Sequence, residues 1–88
     1  MLFEPENLRF SEILPGRNGR KPAVEYFYAG RSILVYPQVF PFGGSDQEDI
    51  SVHYSAEDEV LSAYVNDEEW LSGALAFFEQ DYPARIGK

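Results

Sequence analysis

Hydrophobic and polar residues alternate along the middle of the chain, and this pattern predicts β-strands. AVEYFY at 23–28 and SILVYPQVF at 32–40 are rich in the β-branched and aromatic residues that favour strands. Ala29, Gly30 and Arg31 supply a short turn between them, so the two segments form a hairpin. Because Pro37 has no N–H for the ladder, we expect the second strand to lie at an edge or to carry a bulge there.

A further strand follows a predicted acidic loop, SDQED at 45–49. The segment ISVHYS at 50–55 alternates, with Ile50, Val52 and Tyr54 on one face and Ser51, His53 and Ser55 on the other.

The segment DEVLSAYV at 58–65 fits two patterns. A helical face would contain Val60, Leu61, Tyr64 and Val65, whereas a strand would place Leu61, Ala63 and Val65 on one side. We favour the strand, because a hairpin through AEDE is compact.

The last part of the chain has the period of a helix over about 66–82. Asn66 is the predicted cap, and Glu69 stands three residues later, as in a capping box. Pro83 marks the predicted end. The apolar stripe of this helix consists of Trp70, Leu71, Ala74, Leu75, Phe78 and Tyr82.

The elements together predict an α+β fold: an antiparallel sheet of three to four strands with one C-terminal amphipathic helix packed on one face. Eighty-eight residues make one domain, 1–88. PENLRFSEIL at 5–14 either begins with a short helix or runs extended, and PGRNGRKP at 15–22 is a loop.

The predicted hairpin carries apolar side chains on both of its faces. We assign Val24, Tyr26, Tyr28, Leu34 and Tyr36 to one face, and Ala23, Phe27, Ile33 and Val35 to the other. One helix covers one face of a sheet. The N-terminal segment or another protein chain must therefore cover part of the second face. Tyrosine suits protein interfaces, which makes Tyr26, Tyr28 and Tyr36 candidate partner-binding residues.

Charge is distributed unevenly. The formal net charge is -8, and no Lys or Arg stands between Ser32 and Ala84. This composition argues against direct binding of nucleic acid, which needs clustered cations. The acids that we expect to face a partner form two groups at the ends of ISVHYS, one being Asp46, Glu48 and Asp49, and the other Glu57, Asp58, Glu59, Asp67, Glu68 and Glu69.

No motif in the sequence indicates catalysis, a cofactor or a metal. The chain has no cysteine, which excludes disulfides and thiolate ligands. His53 is its single histidine and has no local nucleophile or second titrating group. Phosphate-binding glycine loops and the EF-hand spacing are absent. We therefore expect a protein that is not an enzyme and has no catalytic, cofactor-binding or metal-binding residues.

The N-terminal residues have neither a basic region nor an apolar run typical of a signal sequence, and no apolar stretch has the length of a membrane span. We expect a cytoplasmic protein with no membrane partner. A homodimer is compatible with the apolar second face.

Acidic charge and aromatic surface together favour a small inhibitor that occludes a basic, nucleic-acid-binding surface of a partner protein. In composition only, the chain resembles phage-borne inhibitors of host defence, such as anti-CRISPR and anti-restriction factors, and the immunity proteins of nuclease toxins. The alternative is a non-catalytic subunit or scaffold domain whose acids only provide solubility.

Overall fold

Four antiparallel strands form one sheet in which they lie in the order of the chain, and two helices follow them. The computed structural model describes residues 1–42 and 45–87, with the side chains of 40–42 and 45–46 excepted. The elements are β1 (Leu8–Leu14), β2 (Ala23–Tyr28), β3 (Arg31–Phe42), β4 (Ser45–His53), α1 (Glu59–Val65) and α2 (Glu68–Ile86). The predicted α+β class is confirmed, with a second helix where the sequence analysis favoured a strand.

The turn between β2 and β3 is one residue shorter than predicted. Tyr28 pairs directly with Arg31, so only Ala29 and Gly30 form the loop. Their φ angles are 50° and 80°. Positive φ at both central residues is typical of a type I′ turn, whose twist matches that of the flanking strands.

This shorter turn overturns the predicted assignment of side chains to faces. A shift of one residue in register moves every side chain of a strand to the other face. Val24 pairs with Val35 and Tyr26 pairs with Ile33, so these four side chains share the face that the helices cover. Leu34 and Tyr36 point to the opposite face, together with Phe27.

The core lies between the sheet and the two helices. Trp70, Tyr26 and Phe78 are its largest fully buried side chains. The tilted rings of Tyr26 and Phe78, with centroids 4.9 Å apart, join β2 to α2. The buried hydrophobic residues are Val24, Tyr26, Tyr28, Ile33, Val35, Leu61, Trp70, Ala74, Phe78 and Tyr82.

Residues 59–65 form a helix, so the predicted strand there is wrong. Asp58 caps this helix, because its side chain accepts a hydrogen bond from the Leu61 N–H at 2.9 Å. Helical spacing buries Leu61 and stacks Tyr64 on Trp70 with a centroid distance of 5.6 Å. A strand would have buried Ala63, which is exposed.

The second helix differs from its predicted bounds at both ends. Its cap is Asp67, one residue after the predicted Asn66, and the Asp67 side chain accepts from the Trp70 N–H at 3.0 Å. At the other end the helix continues through Pro83, which forgoes only the bond to the Glu79 carbonyl. Tyr82 holds this last part, since its hydroxyl donates to the Pro22 carbonyl oxygen at 2.5 Å.

The predicted acidic loop SDQED is the first half of β4. Its pairing with β3 runs without a register shift from Phe42↔Ser45 to Leu34↔His53. Neither alternative predicted for Pro37 is correct, because β3 is an inner strand of the sheet and its pairing with β4 has no bulge. Pro37 is tolerated because the pairing of β2 with β3 ends at Val24 and Val35, which leaves the β2 side of Pro37 unpaired. Residues 37–42 and 45–50 therefore form a two-stranded arm that extends past β2.

The N-terminal segment does not cover the second face of the sheet. Residues 8–14 form the edge strand β1, preceded by a 3-10 turn at Pro5–Asn7. Phe3 lies on the helix side, where its ring stacks on Tyr28 at 5.3 Å and meets the edge of Trp70 at 5.4 Å. The segment thus extends the sheet and fills the core.

Candidate protein-binding surface

One face of the sheet carries apolar and aromatic side chains that neither helix covers. We call it the open face and define it by Phe27, Leu34, Tyr36 and His53, which come from β2, β3 and β4. Phe27 is 38% exposed. Tyr36 and His53 stack in parallel, with ring centroids 4.1 Å apart and 6° between their planes. The stack already fixes the orientation of both rings. A contact made here would therefore cost little further rotamer freedom.

A fixed carboxylate borders the open face on β2. Glu25 lies on the same side of the strand as Phe27, and its two oxygens accept hydrogen bonds from Ser11 at 2.9 Å and Ser32 at 2.7 Å. Arg9, paired with Phe27 in the register, is exposed on β1. The β1 side of the open face therefore carries charges of both signs.

The first predicted acidic group is divided between the two faces of β4. Glu48 has the same orientation as Ile50, which packs against the core, whereas Asp49 points to the side of the open face. The side chain of Asp46 lies outside the described residues. Lys21 reaches across from the loop before β2 and places its Nζ 2.7 Å from a Glu48 oxygen. Among the described side chains of this group, Asp49 borders the open face.

The second group lies around the N-termini of α1 and α2, at the opposite end of β4. Asp58 caps α1 and also accepts from the Arg31 guanidinium at 2.9 Å. The Leu61 N–H bond, with Arg31 adding to it, lowers the pKa of Asp58. Asp67 caps α2, and its bond from the Trp70 N–H lowers its pKa. These two acids have structural roles.

Three of the four remaining acids at this end neither cap a helix nor join a salt bridge among the described residues. Glu57, Glu59 and Glu68 are exposed and have no salt bridge within the described part of the chain. Glu57 accepts a hydrogen bond from Ser55 at 2.8 Å. Glu69 contacts the amino group of Met1 at 2.5 Å. Glu57, Glu59 and Glu68 are therefore the acids of this group whose charge no cation among the described residues neutralises.

The role of Asp58 in the fold gives a pH-dependent prediction. Its folded pKa lies below the ordinary value of 3.8, so its stabilising effect is complete above that pH and is lost as pH falls through the folded pKa. Asp58→Asn keeps a capping side chain without the charge. We expect this variant to melt at a lower temperature than wild type at pH 7, and the difference to shrink at pH 3.

Thermal unfolding followed by circular dichroism at the two pH values measures this difference. Glu57→Gln is the matched control, since it removes a neighbouring exposed carboxylate that does not cap the helix. A difference between wild type and Asp58→Asn that is the same at both pH values would contradict the assigned role.

His53 has no catalytic partner among the described residues. It lines a shallow depression with Ser32 and Ser55, but the Ser32 hydroxyl donates to Glu25 and the Ser55 hydroxyl to Glu57. The buried Nε2 of His53 has no hydrogen-bond partner. Burial lowers the pKa of the imidazole and keeps it neutral at pH 7. The structure thus gives His53 an aromatic packing role against Tyr36.

The described residues contain no group of three or more His, Asp or Glu side chains arranged to hold a metal ion. Among the same residues, no helix has the length and apolar character needed to cross a membrane.

Tyr26 and Tyr28 are not surface residues, and their assignment as partner-binding residues needs correction. Tyr26 is completely buried and Tyr28 is 3% exposed. The Tyr26 hydroxyl donates to Asp81 on α2, and the Tyr28 hydroxyl accepts from the Glu4 N–H at 3.0 Å. Their period-two spacing indicated a shared face, but the pattern does not say which face the helices cover. Tyr36 is the predicted tyrosine that lies on the open face.

No family model, no curated protein and no solved structure matches this chain.

Proposed function

We propose that the chain is a non-catalytic, protein-binding inhibitor that covers a basic, nucleic-acid-binding surface of another protein. The open face supplies the apolar contact, and the acids on either side of it supply attraction and orientation. The observation that carries the proposal is the open face itself, because an apolar and aromatic surface bordered by charge is typical of an interface.

The positions of the acids support the choice of a basic partner. Asp49 lies near one end of the open face, while Glu57, Glu59 and Glu68 lie near the other. The four residue steps of β4 from Asp49 to His53, the last strand residue before the second acidic group, span about 13 Å. Carboxylates separated in this way fit a surface that binds several phosphates along a nucleic-acid backbone.

The alternative function, a non-catalytic subunit or scaffold domain, has its own support. Asp58 and Asp67 cap helices, and Lys21 neutralises Glu48. Asp58, Asp67 and Glu48 thus have contacts within the chain that account for them without a partner protein. Under this alternative the open face binds a fixed subunit, and its binding would respond little to salt or to nucleic acid.

The proposal is tested by immobilising the protein and passing over it a nuclease-treated lysate of the organism that encodes it. We expect retention of a nucleic-acid-binding protein that double-stranded DNA or RNA then elutes, since the acids and the nucleic acid would occupy the same surface. Phe27→Ala should reduce retention about tenfold, which corresponds to losing one partly exposed aromatic anchor.

Ile13→Ala is the matched control, because Ile13 is 42% exposed on β1 and, paired with Val24, points to the side of the sheet opposite the open face. It should retain the partner as well as wild type does. Retention that nucleic acid does not displace would favour the subunit function. Equal losses for the two variants would contradict the use of the open face.

A further inference from the structure

A cleft of about 280 Å³ separates the C-terminal part of α2 from the two-stranded arm. Pro37 and Ile50 line it on the arm, and Tyr82 and Ile86 line it on the helix. Ligand pockets typically start at about 300 Å³, so the cleft suits a single side chain better than a cofactor. Its interior favours an aliphatic group.

Carboxylates border this apolar interior on both sides. Glu48 stands on the arm and Glu79 on α2, so the two elements each contribute one negative charge. Burial and the nearby Glu48 raise the pKa of the Tyr82 hydroxyl. The cleft therefore combines apolar walls with an acidic rim, which complements a cation carried on a hydrocarbon stem.

A cation of the chain itself already uses part of this site. Lys21 lines the cleft, with its Nζ 2.7 Å from Glu48. The two side chains are 55% and 43% exposed. A salt bridge this exposed contributes little free energy. An incoming cation can therefore replace Lys21 at small cost.

We propose that this cleft binds an arginine side chain of the partner protein, an inference that rests on the proposed function. Arginine fits better than lysine for two reasons. Its guanidinium is weakly hydrated and donates in a planar fork, which suits two carboxylates on facing elements. Its three methylene groups can lie against Ile50 and Ile86. Basic nucleic-acid-binding surfaces supply such arginines.

The inference is tested on the isolated protein with N-acetyl-arginine-methylamide as the probe, followed by two-dimensional amide NMR. We expect saturable shifts centred on Glu48, Ile50, Glu79 and Ile86, with a dissociation constant in the millimolar range that suits so small a ligand. The citrulline analogue has nearly the same shape without the charge. It should bind about tenfold more weakly.

Four variants separate this site from general attraction to acids. Glu48→Gln and Glu79→Gln should each weaken binding several-fold. Lys21→Met should strengthen it, because it removes the internal competitor. Glu68→Gln, which removes an exposed carboxylate at the other end of α2, should leave it unchanged. All four positions are exposed, and the amide spectrum reports directly whether each variant is folded.

Shifts centred on residues 57–69, equal binding of the citrulline analogue, no saturable binding, or weaker binding by Lys21→Met would each overturn the inference. The outcome is distinguishable from that of the lysate experiment. If the probe does not bind but the lysate experiment retains a partner that DNA displaces, only the arginine site is rejected. If the probe binds but the lysate experiment retains no such partner, the site stands and the inhibitor function is rejected.

Discussion

Trp70→Ala is expected to lower the free energy of unfolding by about 3 to 5 kcal/mol, the usual cost of truncating a fully buried large aromatic. Trp70 has no exposed surface and contacts the rings of Phe3, Tyr28 and Tyr64. It therefore joins the N-terminal segment, the sheet and both helices. A domain of this size has about 5 to 10 kcal/mol of stability, so roughly half of it would be lost.

Chemical denaturation of the purified variants measures this loss. Trp70→Phe is the first control: it keeps an aromatic ring and removes an indole N–H that is buried without a partner. It should cost clearly less than the alanine change. Leu75→Ala is the second control, because Leu75 is only half-buried and lies outside the core cluster. Equal costs for Trp70→Ala and Leu75→Ala would contradict the described core.

Reversal of three acidic charges is expected to have the largest effect on partner binding. The triple variant Glu57→Lys, Glu59→Lys and Glu68→Lys changes exposed residues that neither cap a helix nor form a salt bridge within the described residues. We expect association with the partner retained from the lysate to slow by about 10-fold to 1,000-fold at low salt. The fold should persist, with a small loss of stability because lysines in the first turns of α1 and α2 oppose the helix dipoles.

Association and dissociation rates at two salt concentrations test this prediction. Wild-type association should slow as salt rises, since exposed charges are screened beyond about 10 Å at 0.1 M. The variant should lose this dependence or reverse it. The matched triple change to Gln removes the charges without reversing them and should fall in between. Wild-type association that does not depend on salt would show that these acids serve solubility alone.

The sequence pattern identifies the long amphipathic helix and the central hairpin because their periods persist over many residues. Trp70, Ala74, Phe78 and Tyr82 are buried as the helical stripe predicts. Ile50 and Val52 face the core while His53 faces away from it, as the alternation predicts. Such patterns depend only on the spacing of residues along the chain, so they can be identified from the sequence.

Three features depended on information that the pattern does not contain. The two-residue turn at Ala29 and Gly30 required an alanine with positive φ, which its residue type disfavours. The segment 59–65 is a helix because Asp58 caps it and because helical spacing buries Leu61 in the core. Helix α2 continued through Pro83 because Tyr82 is held by the loop before β2.

The acidic surface likewise has some properties that the sequence determines and others that only the tertiary structure decides. The number and order of the acids determined that the protein is strongly negative and that residues 45–59 contain no cation. Only the tertiary structure brought Lys21 to Glu48 and Arg31 to Asp58, and left Glu57, Glu59 and Glu68 exposed without a salt bridge among the described residues. Local composition is fixed by the chain. The pairing of charges and the face of each strand depend on register and turn length, where a change of one residue reverses the outcome.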